Sequence, residues 1–260
     1  VYPFTTAVAE QFSKTSGGKA PVVESTGTGG GMKLFCAGVG ESTPDIANAS
    51  RPMKKAEFEL CQQNGIKDIV EIKIGLDGIV LAKAKSGPDM SLQQEELFLA
   101  LAKEIHDENL KFIPNPHKNW QDVDPLLPPT KIEVLGPPPT SGTRDAFLEL
   151  VMEKGAKGFG ALREMKDADE KDGTKNYEQI WKSIRQDGAF VEAGENDNLI
   201  VQKIEADANA IGIFGFSFLE ENKDKIKPVL IGGVEPTYEN ISTGKYPASR
   251  ALFIYVKKAH

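Results

Sequence analysis

Apolar residues along this chain follow two alternating rhythms. Short runs at 21–24, 44–47, 70–74, 79–83, 132–135, 210–214, 229–231 and 252–256 predict strands. Between them, apolar residues recur at three- and four-residue intervals: Phe4, Val8 and Phe12; Leu97, Phe98 and Leu101; Ala146, Phe147, Leu150 and Val151; Tyr177, Ile180, Trp181 and Ile184; Leu199, Ile200 and Ile204. Each set predicts a helix with one buried face. Pro52 suits the first turn of a helix over 53–63 that stops at Gly65, and Gly155 reads as the stop of the helix bearing Phe147. Ser91 with Gln94 forms a capping box, and Asp197 or an adjacent asparagine opens the Ile200 helix. The charge-dense stretch 166–175 predicts a solvated turn. The proline-rich stretch 115–139 predicts a loop anchored by Trp120, which could instead line a ligand cleft. Strands alternating with helices predict an α/β fold with largely parallel sheets, in which ligands bind beyond the carboxyl ends of strands, where helices begin.

One such helix start carries distinctive chemistry. Gly136-Pro137-Pro138-Pro139-Thr140-Ser141-Gly142-Thr143-Arg144-Asp145 joins the 132–135 strand to the helix of Ala146 and Phe147. The first N–H groups of a helix lack partners within it, and the peptide dipoles add partial positive charge there. Gly142 lets an oxyanion approach the backbone, Ser141 and Thr143 offer hydroxyls, and Arg144 brings a planar fork of donors. A plain helix cap by Ser141 or Thr143 is the competing reading. A second loop, Ser25-Thr26-Gly27-Thr28-Gly29-Gly30-Gly31, leads into Met32, Leu34 and Phe35 and repeats the design. It lacks the P-loop spacing, and no acidic residue completes a dinucleotide fingerprint. Ser50 and Arg51, before Pro52, read as a third helix entrance.

Thr28-Gly29-Gly30-Gly31-Met32-Lys33, Asn48-Ala49-Ser50-Arg51-Pro52, Asn119-Trp120 and Thr140-Ser141-Gly142-Thr143-Arg144-Asp145-Ala146-Phe147 occur in that order. Together they resemble the substrate-binding protein of the high-affinity phosphate ABC importer, a two-lobed periplasmic binding protein, over essentially the whole chain. The resemblance implies two lobes, each a mostly parallel sheet flanked by helices, with the ligand in the interlobe cleft. Lobe one is expected at 1–75 plus 225–260 and lobe two at 76–224. The first crossing falls at the Gly75-Leu76-Asp77-Gly78 segment, while Gly212 and Gly215 suit a close crossing or hinge.

The implied function is capture of inorganic phosphate in the periplasm and delivery to the membrane permease subunits of an importer, by a monomer without catalysis or cofactor. The implied ligand set is Val1, Thr28, Ser50, Arg51, Ser141, Gly142, Thr143 and Arg144. Two positions depart from the family pattern. The aspartate that accepts a phosphate proton in many members is Arg51 here, and the ligand arginine four positions before the serine is Pro137. Arg144, with Arg51, is expected to supply the displaced charge, and another acceptor, such as Asp145, Asp77 or a backbone carbonyl, to discriminate against sulfate. In that family the mature chain opens with a strand and a small-residue loop. This sequence, with no signal peptide, reads as starting inside that loop, so Val1 can serve as a ligand only if the chain continues upstream.

Composition narrows the alternatives. A chain of 260 residues with a net charge of −7 has no basic stripe of the kind nucleic-acid surfaces show, and no apolar run reaches the length of a membrane span. His106, His117 and His260 do not cluster, and the cysteines lack metal-ligand spacing, so no metal site is expected. In an exported chain Cys36 and Cys61 can pair; the alternative is two buried free thiols. A receptor for sulfate, molybdate or tungstate, and a ligand-free adhesion or scaffold relative, are the competing functions. A serine hydrolase or phosphatase using Ser141 is disfavoured, because Ser141 lacks the strained elbow motif and no histidine is placed to activate it.

Overall fold

The computed structural model describes residues 2–24, 26–194 and 196–258, so the expectation for Val1 lies outside the described residues. The chain divides into two compact units, Val1–Asp77 with Arg250–His260, and Gly78–Ser249. Among the described residues no helix is long and apolar enough to cross a membrane.

In the first unit, the strand Ile46–Ala49 runs antiparallel to Ser249–Lys257, with Ala47 opposite Tyr255 and Ala49 opposite Phe253. Alternation places these four side chains on one face, where they pack with Met32, Phe35, Cys36, Cys61 and Ile66 from the helices Gly27–Phe35 and Lys55–Gln63 and the turns that follow them. A Cys36–Cys61 disulfide ties the ends of those two helices together. The helix Tyr2–Ser16 forms, but Val8 and Phe12 are exposed and the small Ala9 is buried instead. A helical period locates an amphipathic element; it does not supply the surface that would receive its apolar side.

Three expectations for this unit are corrected. Residues 21–24 are irregular rather than a strand. The helix expected over 53–63 begins at Lys55, with the Lys54 N–H donating to Glu57 Oε2 at 2.8 Å, so Ser50-Arg51-Pro52 stands three or more residues short of its start. The two strands expected around Gly75 and Gly78 are one continuous strand, Ile69–Ala84, which passes from the first unit into the second.

In the second unit this strand runs antiparallel to Ile211–Gly215 and to Ile226–Ile231. Ile211–Gly215 is parallel to Val134–Gly136, which is parallel to Phe190–Glu192. The fold is α/β as expected, but the sheets are mixed rather than mostly parallel, because the long strand opposes both of its neighbours here. The expected lobe boundary at 225 also shifts. Val229 pairs with Leu81, and Leu230 and Ile231 pair with Ser91 and Leu92, so residues 226–249 belong to the second unit.

The helix Gly142–Phe147 continues through a π-helical turn, Leu148–Met152, into Glu153–Ala156. Gly155 is not its stop but a contact: a Cβ there would lie 2.1 Å from the Gln94 carbonyl oxygen, so glycine lets this helix pack against Gln94–Leu101. The cap of that partner helix is made by Glu96, whose carboxylate accepts the Gln93 N–H at 2.7 Å, not by Ser91. Residues 166–175 are not a turn either. Gly160–Asp172 is helical and ends at Gly173 (φ 75°), with Asp169 accepting from the Tyr177 N–H at 2.6 Å and from Asn176 at 3.0 Å. Trp120 is fully buried, opening the short helix Trp120–Val123.

Candidate anion-binding site

The Ser141 helix start forms as the sequence predicts. Ser141 is its N-cap, with extended backbone, and its Oγ accepts the Thr143 N–H at 3.2 Å. Capping and anion binding are therefore compatible, because the N–H groups of Gly142 and Arg144 in the same first turn have no acceptor within the helix. Thr140-Ser141-Gly142 lies just beyond the carboxyl end of Val134–Gly136, between strands parallel to it on both sides.

Arg144 departs from an ordinary first-turn residue. It is only 7% exposed, and its side chain folds back so that Nη1 donates to the Pro137 carbonyl oxygen at 3.3 Å. The guanidinium lies 4.2 Å from the centre of the Phe190 ring. Its Nε has no hydrogen-bond partner. Burial lowers its proton affinity, while the charges of Glu192 and Asp145 act the other way. An arginine of such high intrinsic pKa stays charged, so the site holds a desolvated cation with a spare donor. The guanidinium thus rests against the backbone of Pro137, the position where the resembled family carries its ligand arginine.

Arg144 faces a cavity of about 360 Å³ shared with Arg185, Phe190 and Glu192. Arg185, also nearly buried, is committed elsewhere: it bonds to the Asp187 carboxylate and donates to the carbonyls of His117 at 2.7 Å and Ala100 at 3.2 Å. It holds the 115–117 segment in place, which leaves Arg144 as the arginine with free donor capacity at this cavity. Phe190, Glu192 and Arg185 escaped the sequence reading. Ala189-Phe190-Val191 between Gly188 and Gly194 is the signal that could have marked the strand, but three residues make a faint pattern.

In the first unit, Thr28 lies in the first turn of Gly27–Phe35, which opens on Gly27 at φ 68°, a backbone state few other residues adopt. Its Oγ1 stands 3.0 Å from Ser50 Oγ and accepts the Ser50 N–H at 3.2 Å, so these two predicted residues meet. Arg51 is drawn away from them. Its guanidinium forms a bidentate pair with Glu57, at 2.9 and 2.7 Å, and donates to the Pro52 carbonyl at 3.1 Å. Burial pushes the Glu57 carboxyl up, but the hydrogen bonds from Arg51 and the Lys54 N–H and the charge of Arg51 outweigh it and hold Glu57 below its ordinary value. Asp77, one of the expected proton acceptors, lies 3.5 Å from Arg250.

The class of protein follows from this fold and from comparison with known proteins. The whole chain, residues 1–260, matches the model of the PBP superfamily domain, and it belongs to that superfamily of binding proteins. More particularly, it is 33% identical over 264 residues to Protein SphX of Synechococcus elongatus, covering 99% of this chain and 66% of that protein. It is 31% identical over 263 residues to the phosphate-binding protein PstS of Staphylococcus saprophyticus, covering 99% of this chain and 67% of the relative. The chain thus spans about two thirds of the length of these relatives. Among solved structures, a possible phosphate binding protein from Planctomyces limnophilus superposes with a TM-score of 0.74 at 31% identity, covering 100% of this chain and 78% of that one.

Proposed function

We propose that this chain is a receptor that captures inorganic phosphate outside the cytoplasmic membrane, in the periplasm or at the cell surface, and hands it to the permease subunits of an ABC importer. The observation that carries the reading is Arg144: a residue only 7% exposed, with an unpartnered Nε, in the first turn of a capped helix. Relatives named PstS and a similar structure described as a possible phosphate binding protein support the choice of anion. In this reading Gly142, Thr143 and the Ser141 hydroxyl bind phosphate oxygens together with Arg144, and within the first unit the adjacent hydroxyls of Thr28 and Ser50 are candidate anion donors. Arg51 acts by holding Glu57 rather than by binding the anion, and the protein works as a monomer without catalysis or cofactor.

The energetics are sufficient. Charge-assisted hydrogen bonds contribute about 1.5–3 kcal/mol each, and micromolar affinity requires about 8 kcal/mol net. Titration calorimetry with inorganic phosphate tests the proposal: saturable binding at micromolar concentration or below is expected. Absence of any phosphate heat, with no displacement by phosphate of another bound oxyanion, would end it.

A further inference from the structure

The antiparallel pair formed by Ile69–Ala84 and Ile226–Ile231 sets lysine directly opposite lysine. Lys83 is in register with Lys227, and the Lys85 N–H donates to the Lys225 carbonyl at 3.0 Å, so the pairing continues one step past the strand ends. Residues directly opposite, and residues two apart, share a face, so all four side chains leave the sheet on one side. With neighbouring strands about 4.8 Å apart and two residues spanning about 6.7 Å, the four stems form an array of roughly 5 by 7 Å. Like charges directly opposite each other destabilise a sheet, so the arrangement works against the fold.

Lys83 is the least ordinary of the four. It is only 2% exposed, and among the described residues its amine has no hydrogen bond and no ion pair. Burial lowers its proton affinity and the Lys227 charge lowers it further, while Asp207 and Asp89 act the other way. Its stem runs past Gly87, where a Cβ would lie 2.8 Å from Lys83 Cε and 2.6 Å from the Ala208 carbonyl oxygen, so glycine leaves the lysine its place. Lys227 bonds to Asp89 Oδ1 at 2.6 Å, but the Asp89 side chain is 95% exposed, and a pair this open to water is readily exchanged for another anion. Lys85 donates to the Lys223 carbonyl at 3.1 Å, and Lys85 and Lys225 are exposed.

We propose that Lys83, Lys85, Lys225 and Lys227 form a second anion site, for a condensed phosphate chain, in which Asp89 is the internal carboxylate that the chain displaces. A single tetrahedral anion does not span the array, whereas a linear triphosphate presents charge along its length. The depth of Lys83 selects a group of small size and high charge, which an end phosphate is and a carboxylate carried on a side-chain stem is not. The site is separate from the Ser141 loop. That loop lies beyond the carboxyl end of Val134–Gly136, which is parallel to Ile211–Gly215; Ile79 is opposite Gly215 and Ala82 opposite Gly212, so Lys83 lies toward the other end of the sheet. The site therefore stands whether or not the Ser141 loop takes phosphate.

The test is calorimetric titration of the full chain with tripolyphosphate, in the presence of inorganic phosphate so that the Ser141 loop is already supplied. Saturable binding of one chain per protein is expected, weakening as salt is raised. Replacing the exposed pair together, Lys85→Gln with Lys225→Gln, should weaken it at least about tenfold, and so should Lys83→Met, because each removes charge-assisted contacts. Both variants should keep the inorganic phosphate affinity of the unaltered protein, read in a separate titration. ATP run in parallel tells a free condensed phosphate from the triphosphate of a nucleotide, and binding of either supports the site. Absence of tripolyphosphate heat, or unchanged tripolyphosphate affinity in either folded variant, would overturn it. A hexaglutamate peptide that binds more tightly than tripolyphosphate would overturn the choice of ligand in favour of an acidic protein partner. Because inorganic phosphate alone is titrated separately, failure of this site and failure of the phosphate reading are distinguishable.

Discussion

Arg144→Ala separates binding from folding at the centre of the site. The bound anion is expected to take two charge-assisted hydrogen bonds from the guanidinium, roughly 3–6 kcal/mol in gross interaction. Part of that is returned in the variant, because the free protein no longer holds a desolvated, incompletely bonded cation. The expected net loss is about 2–4 kcal/mol, roughly a 30- to 1,000-fold weaker phosphate affinity. Folding should change far less. The side chain makes one long bond, to Pro137 at 3.3 Å, and a contact with the Phe190 ring worth about 0.5–2 kcal/mol, and losing both is offset by relief of the buried charge. Calorimetry reads the affinity and thermal unfolding reads the fold. Arg144→Lys keeps the charge but not the fork and should fall between. A folded Arg144→Ala protein binding phosphate within about twofold of the original would refute the assignment.

Two further outcomes follow from the first unit. Replacing Cys36 and Cys61 with serine, or reducing them, should lower stability by about 3.5 kcal/mol from the loop entropy of a cross-link spanning 25 residues; a shift to lower urea midpoint checks this, as does mass spectrometry showing no free thiol in the unreduced protein. The Glu57 carboxyl titrates below its ordinary 4.5 in the folded protein, so the unfolded chain binds its proton first as pH falls. The stability it contributes is therefore complete above about pH 4.5 and lost as pH falls through the lowered folded value. Glu57→Gln should flatten that part of the acid-unfolding curve, and an unaltered acid limb would show that the Arg51 pair contributes nothing.

What the amino-acid order determined by itself is local. Ser141, Gly142 and Thr143 follow a strand and open a helix because a hydroxyl before an apolar helical period caps it, and that geometry is encoded within a few residues. The sequence reading placed Thr28 and Ser50 in one ligand set through family resemblance but did not foresee their contact, which joins residues 22 positions apart. The Gly160–Asp172 helix was invisible because its sides are nearly all polar, with only Leu162 and Asp169 buried; bonds from Asp169 to the next helix fix its end. Gly155 read as a stop because glycine serves helix ends and close contacts alike, and only the carbonyl of Gln94 across from it distinguishes them. Tertiary structure alone decided which of three arginines retains a spare donor. Arg51, Arg144 and Arg185 are the same chemical group, yet Glu57 engages the first, while Asp187 and the backbone carbonyls of Ala100 and His117 engage the last. Arg144 makes one long bond, to the Pro137 carbonyl, and keeps a spare donor because the chain packs an aromatic ring against its face.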